Sequence, residues 1–314
     1  MCSITASTRR GLTYLDLLAL ICSMVMLAAV AAPGIGRLRE RNCRVICASH
    51  LRQIAMGMML YANDNKGAYP RVRYDAKDDA KLNYYTASDS EDPFAKNGPE
   101  INDVTAAMFL LIRNADLNPS VFLCPALYYQ RLSDAGKVQF DKDNPVPGAE
   151  DGSRGIQLPE PKWTISKMSN FPSPESLHYS IAYPYPPAAS IKVGYKYNTG
   201  VVADFVIAAD TNPGSDELLK VLWGSPEDLL RKANSPNHGG DGQNVLFNDG
   251  HVEWCTSPFM GAGLGPNPVP DNIYTYGRCT ATKGGDGIIG PPAWALDTVL
   301  LPTADQKPTK PAAK

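Results

Sequence analysis

RRGLTYLDLLALICSMVMLAAVAAP, residues 9–33, is the stretch on which the fold turns. Two arginines and a glycine precede an apolar run broken only by Thr13, Asp16 and Ser23 before Pro33 closes it. About 22 helical residues rise roughly 33 Å, enough for a hydrocarbon core of ~30 Å. Residues 12–33 are therefore expected to form a membrane-spanning helix. A cleaved secretory signal is the competing reading, with Arg9 and Arg10 as its basic region and small residues at 28–32 for cleavage. Such signals carry an uncharged apolar core of about 7–15 residues, whereas this run is longer and contains Asp16. A carboxylate at mid-bilayer costs roughly 2.5–3.5 kcal/mol, so Asp16 asks for a function.

Residues 9–16, Arg-Arg-Gly-Leu-Thr-Tyr-Leu-Asp, resemble the prepilin cleavage and methylation motif, in which a basic leader ends in glycine and an acid stands five residues into the mature chain. The resemblance implies that prepilin peptidase cuts between Gly11 and Leu12 and methylates the new amine. It also implies that Asp16 pairs with the N-terminal amine of a neighbouring subunit during assembly. Leu12 stands where the family usually has Phe, and Asp16 where it usually has the longer Glu. Arg37, Arg39, Arg41 and Arg44 outnumber Arg9 and Arg10, a positive-inside count opposed to the orientation the motif implies, which is the one adopted.

Beyond the apolar run, Pro33, Gly34 and Gly36 are expected to interrupt the helix, with a kink at Pro33. Periodicity then resumes. Cys47, Leu51, Ile54, Met58 and Tyr61 fall at alternating steps of four and three, one helix face lasting to about Asn63, and residues 63–67 (NDNKG) supply the stop. Core packing is the first reading of such a stripe. Residues 47–70, CASHLRQIAMGMMLYANDNKGAYP, also resemble a second signature of pseudopilin-like proteins with large exported domains. The implied role is a spine on which the globular head packs.

Residues 64–103 are polar with scattered tyrosines and are expected to make a long mobile surface excursion, followed by a short amphipathic helix at 105–115. Val121-Phe122-Leu123-Cys124-Pro125 resembles the FLCP segment of the same family. Cys43 and Cys47 lie on one helix face and either could present its sulfur to Cys124; the resemblance implies a Cys47–Cys124 disulfide. Residues 126–175 look like loop. Strands are expected at 177–185, 194–197, 201–208 and 244–254, the last folded into a hairpin at Asn248-Asp249-Gly250. His238, ten intervening residues, then Asp249-Gly250 resembles the prepilin-processing-associated motif, whose spacer is one residue shorter. His238 is expected to brace that hairpin. Residues 208–213 and 271–275 resemble further islands of the family.

Seven cysteines include no CxxC pair, which argues against a zinc ribbon or a thioredoxin-type site. Cys2 leaves with the leader and Cys22 lies in the apolar run, so an odd set remains: Cys43, Cys47, Cys124, Cys255 and Cys279. A net charge of −2 implies no nucleic-acid partner. His178, His238, His251, Asp210, Asp241 and Asp249 are of types that ligate zinc or calcium. No HExxH pair, EF-hand loop or GxSxG elbow accompanies them, so no cofactor or catalytic residue is expected, structural calcium or zinc remaining open.

The expected architecture is α+β. It comprises a leader at 1–11, a pilin-like helix at 12–63 whose first half (12–33) spans the membrane, an antiparallel-sheet head with long loops at 64–301, and a disordered tail at 302–314. The expected function is that of a non-enzymatic structural subunit of a pseudopilus or pilus-like assembly. It would cross the inner membrane once, with its head in the periplasm or on the cell surface, and its partners would be prepilin peptidase and other pilin-like subunits. A membrane-anchored exported binding protein or enzyme using the same leader is the alternative.

Overall fold

The computed structural model describes residues 13–77, 81–127, 167–264 and 269–309, with residues 28–37 described by their backbone alone. Gly11, Leu12 and most of the expected loop, residues 128–166, lie outside them. The chain divides into two compact units, Met1–Asn42 and Cys43–Lys314.

Helix α1 (Tyr14–Asp64) begins in the first unit and ends in the second. Thr13 is its N-cap: the Asp16 N–H donates to Thr13 Oγ1 (3.3 Å), while the Thr13 N–H and hydroxyl donate to Asp16 Oδ2 at 3.0 and 2.7 Å. This is a capping box with Asp in place of the usual Glu, and it satisfies donors the helix start would leave open. The expected interruption at Pro33 does not occur, since α1 continues past it as one helix. A proline removes one i→i−4 bond, and bonded turns on either side carry the helix on. Among the described residues no helix is long and apolar enough to cross a membrane. The expected span 12–33 is therefore not found there; it draws on Leu12 and on side chains within 28–37.

In the second unit, Cys43, Cys47, Leu51, Ile54, Ala55, Met58 and Ala62 form the buried face of α1, with Tyr61 partly buried beside them. The helix stops where expected: Gly67, at φ +82°, returns its N–H to Ala62 O (2.8 Å), closing the C-terminus as a Schellman-type turn. The described residues of 64–103 are not a surface excursion. Tyr69, Val72, Tyr84 and Tyr85 are buried, and the Tyr69 hydroxyl donates to Asn248 Oδ1 at 2.5 Å. Tyrosine buries a large ring while its hydroxyl finds a partner, so a polar segment still contributes core.

Helix α2 (Val104–Asn114) is buried from Val104 to Ile112 rather than amphipathic. Its N-cap is Asp103, whose carboxylate accepts from the Ala106 N–H, the Thr105 and Thr86 hydroxyls, the Thr86 N–H and the Asn170 amide. Strand β1 (Tyr179–Ala182), helix α3 (Ala188–Lys192), strand β2 (Val206–Asp210), helix α4 (Glu227–Ala233) and strands β3 (Gln243–Phe247) and β4 (Val252–Cys255) follow. The chain continues through β5 (Phe259–Gly261), β6 (Asp271–Asn272) and β7 (Leu300–Leu301). The main sheet has five strands in the order β4-β3-β2-β1-β7, all neighbours antiparallel. β5 and β6 form a separate pair. Every residue of β1, β2 and β3 is buried, as central strands demand.

Residues 194–197, expected as strand, instead close α3: the Gly194 and Tyr195 N–H groups return to Ile191 O and Ser190 O. The β3–β4 hairpin turns through Asn248-Asp249-Gly250, with Gly250 at φ +90° supplying the left-handed residue. Residues 302–309 belong to the head rather than to a disordered tail. Ala304 N–H donates to Asn212 O (2.7 Å), and Thr309 exchanges hydrogen bonds with the backbone of Tyr84. Residues 310–314 lie outside the described residues.

Candidate functional site

Four buried side chains from four separate segments converge inside the second unit: Cys47, Cys124, Asp210 and His238. Their ligand atoms all lie within 4.8 Å of one another. Cys47 comes from the buried stripe of α1, and its thiol donates to the Cys124 sulfur at 2.9 Å. Cys124 follows the 3-10 turn Pro119–Phe122; its N–H donates to His178 Nδ1 (3.0 Å), and the His178 N–H returns to Phe122 O (2.8 Å). That reciprocal pair fixes the Cys124 backbone against β1.

Asp210 closes β2. Its Oδ2 accepts from the Asn244 N–H (2.6 Å) and side-chain amide (3.2 Å), and its Oδ1 from the Asn237 amide (3.0 Å). A carboxylate with no solvent exposure needs such donors. His238 ends the 3-10 turn Pro236–His238, with Gly239 left-handed at φ +65° behind it. Gly240 stands at φ +79°, and a Cβ there would lie 2.5 Å from Arg231 O, so the loop that delivers His238 requires glycine. The imidazole meets the edge of Trp254 (centroids 5.2 Å) and places Nε2 3.4 Å from Asp210 Oδ2 and 3.8 Å from Cys124 Sγ.

Burial pushes the Cys47 thiol up, reinforced by Cys124. Burial also acts to raise Cys124, but the hydrogen bond from Cys47 and the nearby His238 hold its thiol below the ordinary range. Tyr179 and His50, whose Nδ1 lies 3.3 Å from the Tyr179 hydroxyl, complete the surroundings. The donor set, two sulfurs, an imidazole and a carboxylate, can hold a borderline-soft metal ion, or the sulfurs alone can form a disulfide.

The Cys47–Cys124 pair implied by the resemblance is brought together, and in this structure both are thiols. His238 lies against Trp254, which pairs with Asn244 at the open end of the hairpin, while Asp249 and Gly250 form the turn at its other end. Asp249 is exposed and accepts from its neighbour His251. Asp241 binds Arg44 (2.9 Å) and Arg231 (2.5 Å) instead of the cluster. Of the six His and Asp residues singled out as ligand types, the structure brings Asp210 and His238 to the cluster. Sequence reasoning did not join the two cysteines to them, because no local spacing links Cys47 to Cys124 or either to Asp210. The Thr13-x-x-Asp16 capping box was legible in sequence as a Thr-x-x-acid pattern before an apolar run and was missed.

No protein-family model, curated protein or solved structure matches this chain. The fold and the site therefore define it only as an α+β protein with a long first helix and a closed cluster of thiols, imidazole and carboxylate.

Proposed function

We propose that the chain is a pilin-like structural subunit. Prepilin peptidase cuts it between Gly11 and Leu12, residues 12–33 anchor it in the inner membrane with the head outside the cytoplasm, and it joins other pilin-like subunits through α1. The observation that carries this reading is the exposed start of α1. Tyr14, Leu15, Leu17, Leu18, Leu20, Ile21, Met24, Val25, Met26 and Leu27 all face outward, with Asp16 as the only charge among residues 13–27. A helix apolar on every side is covered by lipid or by other helices.

Asp16 holds the start of its own helix through the capping box with Thr13, and a mature chain beginning at Leu12 would put its amine four residues before that carboxylate in sequence. The exported binding protein or enzyme gains no support from the cluster, since four fully buried protein ligands leave no open position for a substrate. Mass spectrometry of the mature N-terminus tests the proposal. Methylated Leu12 is the expected result, and a start near Ala31 or later overturns it.

A further inference from the structure

We infer that Cys47, Cys124, Asp210 and His238 bind one zinc ion in a closed tetrahedral site that clamps the second half of α1 to the sheet. With zinc bonds of about 2.3 Å to sulfur and about 2.0–2.2 Å to nitrogen and oxygen, a tetrahedron has edges of about 3.6 Å between S and N, 3.4 Å between N and O, and 3.8 Å between two sulfurs. The structure has 3.8 Å from Cys124 Sγ to His238 Nε2 and 3.4 Å from His238 Nε2 to Asp210 Oδ2. The sulfur–sulfur contact, 2.9 Å, is about 0.9 Å shorter than the tetrahedral edge and has to open as the ion enters. Each thiol proton present leaves to solvent as its Zn–S bond forms, and no electron is transferred.

Donor chemistry selects the ion. Two thiolates and an imidazole suit zinc and not calcium or magnesium, which take oxygen. The outer shell is also built: Asn244 and Asn237 orient the Asp210 carboxylate. A disulfide would use the sulfurs but gives no reason for a fully buried carboxylate and imidazole to be delivered to the same point by β2 and the turn Pro236–His238. A divalent cation compensates all four groups at once, and ligands from four segments make a cross-link that no pair of them could make.

The test uses the full chain purified in detergent, with elemental analysis, cobalt substitution and thiol mapping. One zinc per chain is expected. Cobalt should give the thiolate charge-transfer bands of a tetrahedral site, and Cys47 and Cys124 should resist alkylation until a chelator is added. Asp210→Asn should weaken zinc binding by at least about 10–100-fold, the loss that even an outer-shell partner causes, while Cys255→Ser and Cys279→Ser keep one zinc per chain. Metal-free protein with both thiols open to alkylation, or with a Cys47–Cys124 disulfide after purification in the presence of zinc, overturns the inference. The alkylation and mapping are done on the wild-type chain, so the result stands even where a variant fails to fold. A negative result leaves the pilin-like reading intact, because that rests on the exposed apolar start of α1 and is tested separately at the mature N-terminus.

Discussion

The sulfurs of Cys47 and Cys124 lie 2.9 Å apart across 77 residues of chain, and the contact ties α1 to the segment that leads towards the sheet. Both belong to the second unit, where α1 is also held through His50 against Tyr179 of β1 and through Arg44 O, which accepts from the Asn244 amide of β3. The second half of α1 is thus core, and its two faces should respond differently to truncation.

Leu51 is fully buried and Leu60 is 59% exposed on the same helix. Leu51→Ala should cost about 2–5 kcal/mol by lost burial plus a cavity, whereas Leu60→Ala should stay within about 0.5 kcal/mol. Urea unfolding of the detergent-solubilised chain, followed by tryptophan fluorescence, measures both. Equal losses would show that the faces are misassigned.

Asp16 has two candidate duties, capping its own helix and pairing with a neighbour's amine, and two substitutions separate them. Asp16→Ala should abolish crosslinked oligomers while membrane insertion persists, easier by up to about 3 kcal/mol. Thr13→Ala removes the reciprocal cap but keeps the charge, so oligomers should remain. Loss of oligomers in both variants would assign the effect to helix capping, and persistence in both would remove Asp16 from assembly.

Asp103 collects five hydrogen bonds while fully buried at the start of α2, and burial raises its carboxyl above the usual range. Asp103→Ala strands the Thr86 and Asn170 donors in the core and should cost about 3 kcal/mol or more, since each unsatisfied buried group costs about 1–3 kcal/mol. Asp103→Asn keeps part of the network and should cost less. A neutral Asp103→Ala would show that these bonds do not hold α2 in place.

Asp297 should make stability depend on pH. Burial pushes its carboxyl from 3.8 up to about 6, and Asp271, also buried, is raised in the same direction. The folded chain then holds the Asp297 proton more tightly than the unfolded chain, so its contribution is fully present below about pH 4 and is lost as pH rises through about 6. Relative to Asp297→Asn, the wild type should gain up to about 3 kcal/mol between pH 7 and pH 4, since each tenfold difference in proton affinity between the folded and unfolded chain is worth about 1.4 kcal/mol. Parallel pH profiles for the two proteins would contradict this.

What the sequence determined by itself was local. The stripe Cys47, Leu51, Ile54, Met58 and Tyr61 marks a helix face because its period is that of the helix, and Asn248-Asp249-Gly250 marks a hairpin because a left-handed glycine closes it. The antiparallel class of the sheet followed from such turn and strand signals. Tertiary structure alone decided the strand order β4-β3-β2-β1-β7, in which the two-residue strand β7 pairs with β1 from far along the chain. A two-residue strand has no period to detect. It alone also decided that Tyr69, Tyr84 and Tyr85, in a segment polar enough to look like loop, belong to the core. The cluster divides in the same way. Cys47, Cys124, Asp210 and His238 stand out singly by residue type, and the pairing of Cys47 with Cys124 is what the family resemblance implies. Their convergence depends on the β2–β3 pairing that sets Asn244 on Asp210 and on the glycine loop behind His238. Contacts across such sequence separations form only after loop-closure entropy has been overcome, and no local pattern records which of them repay it.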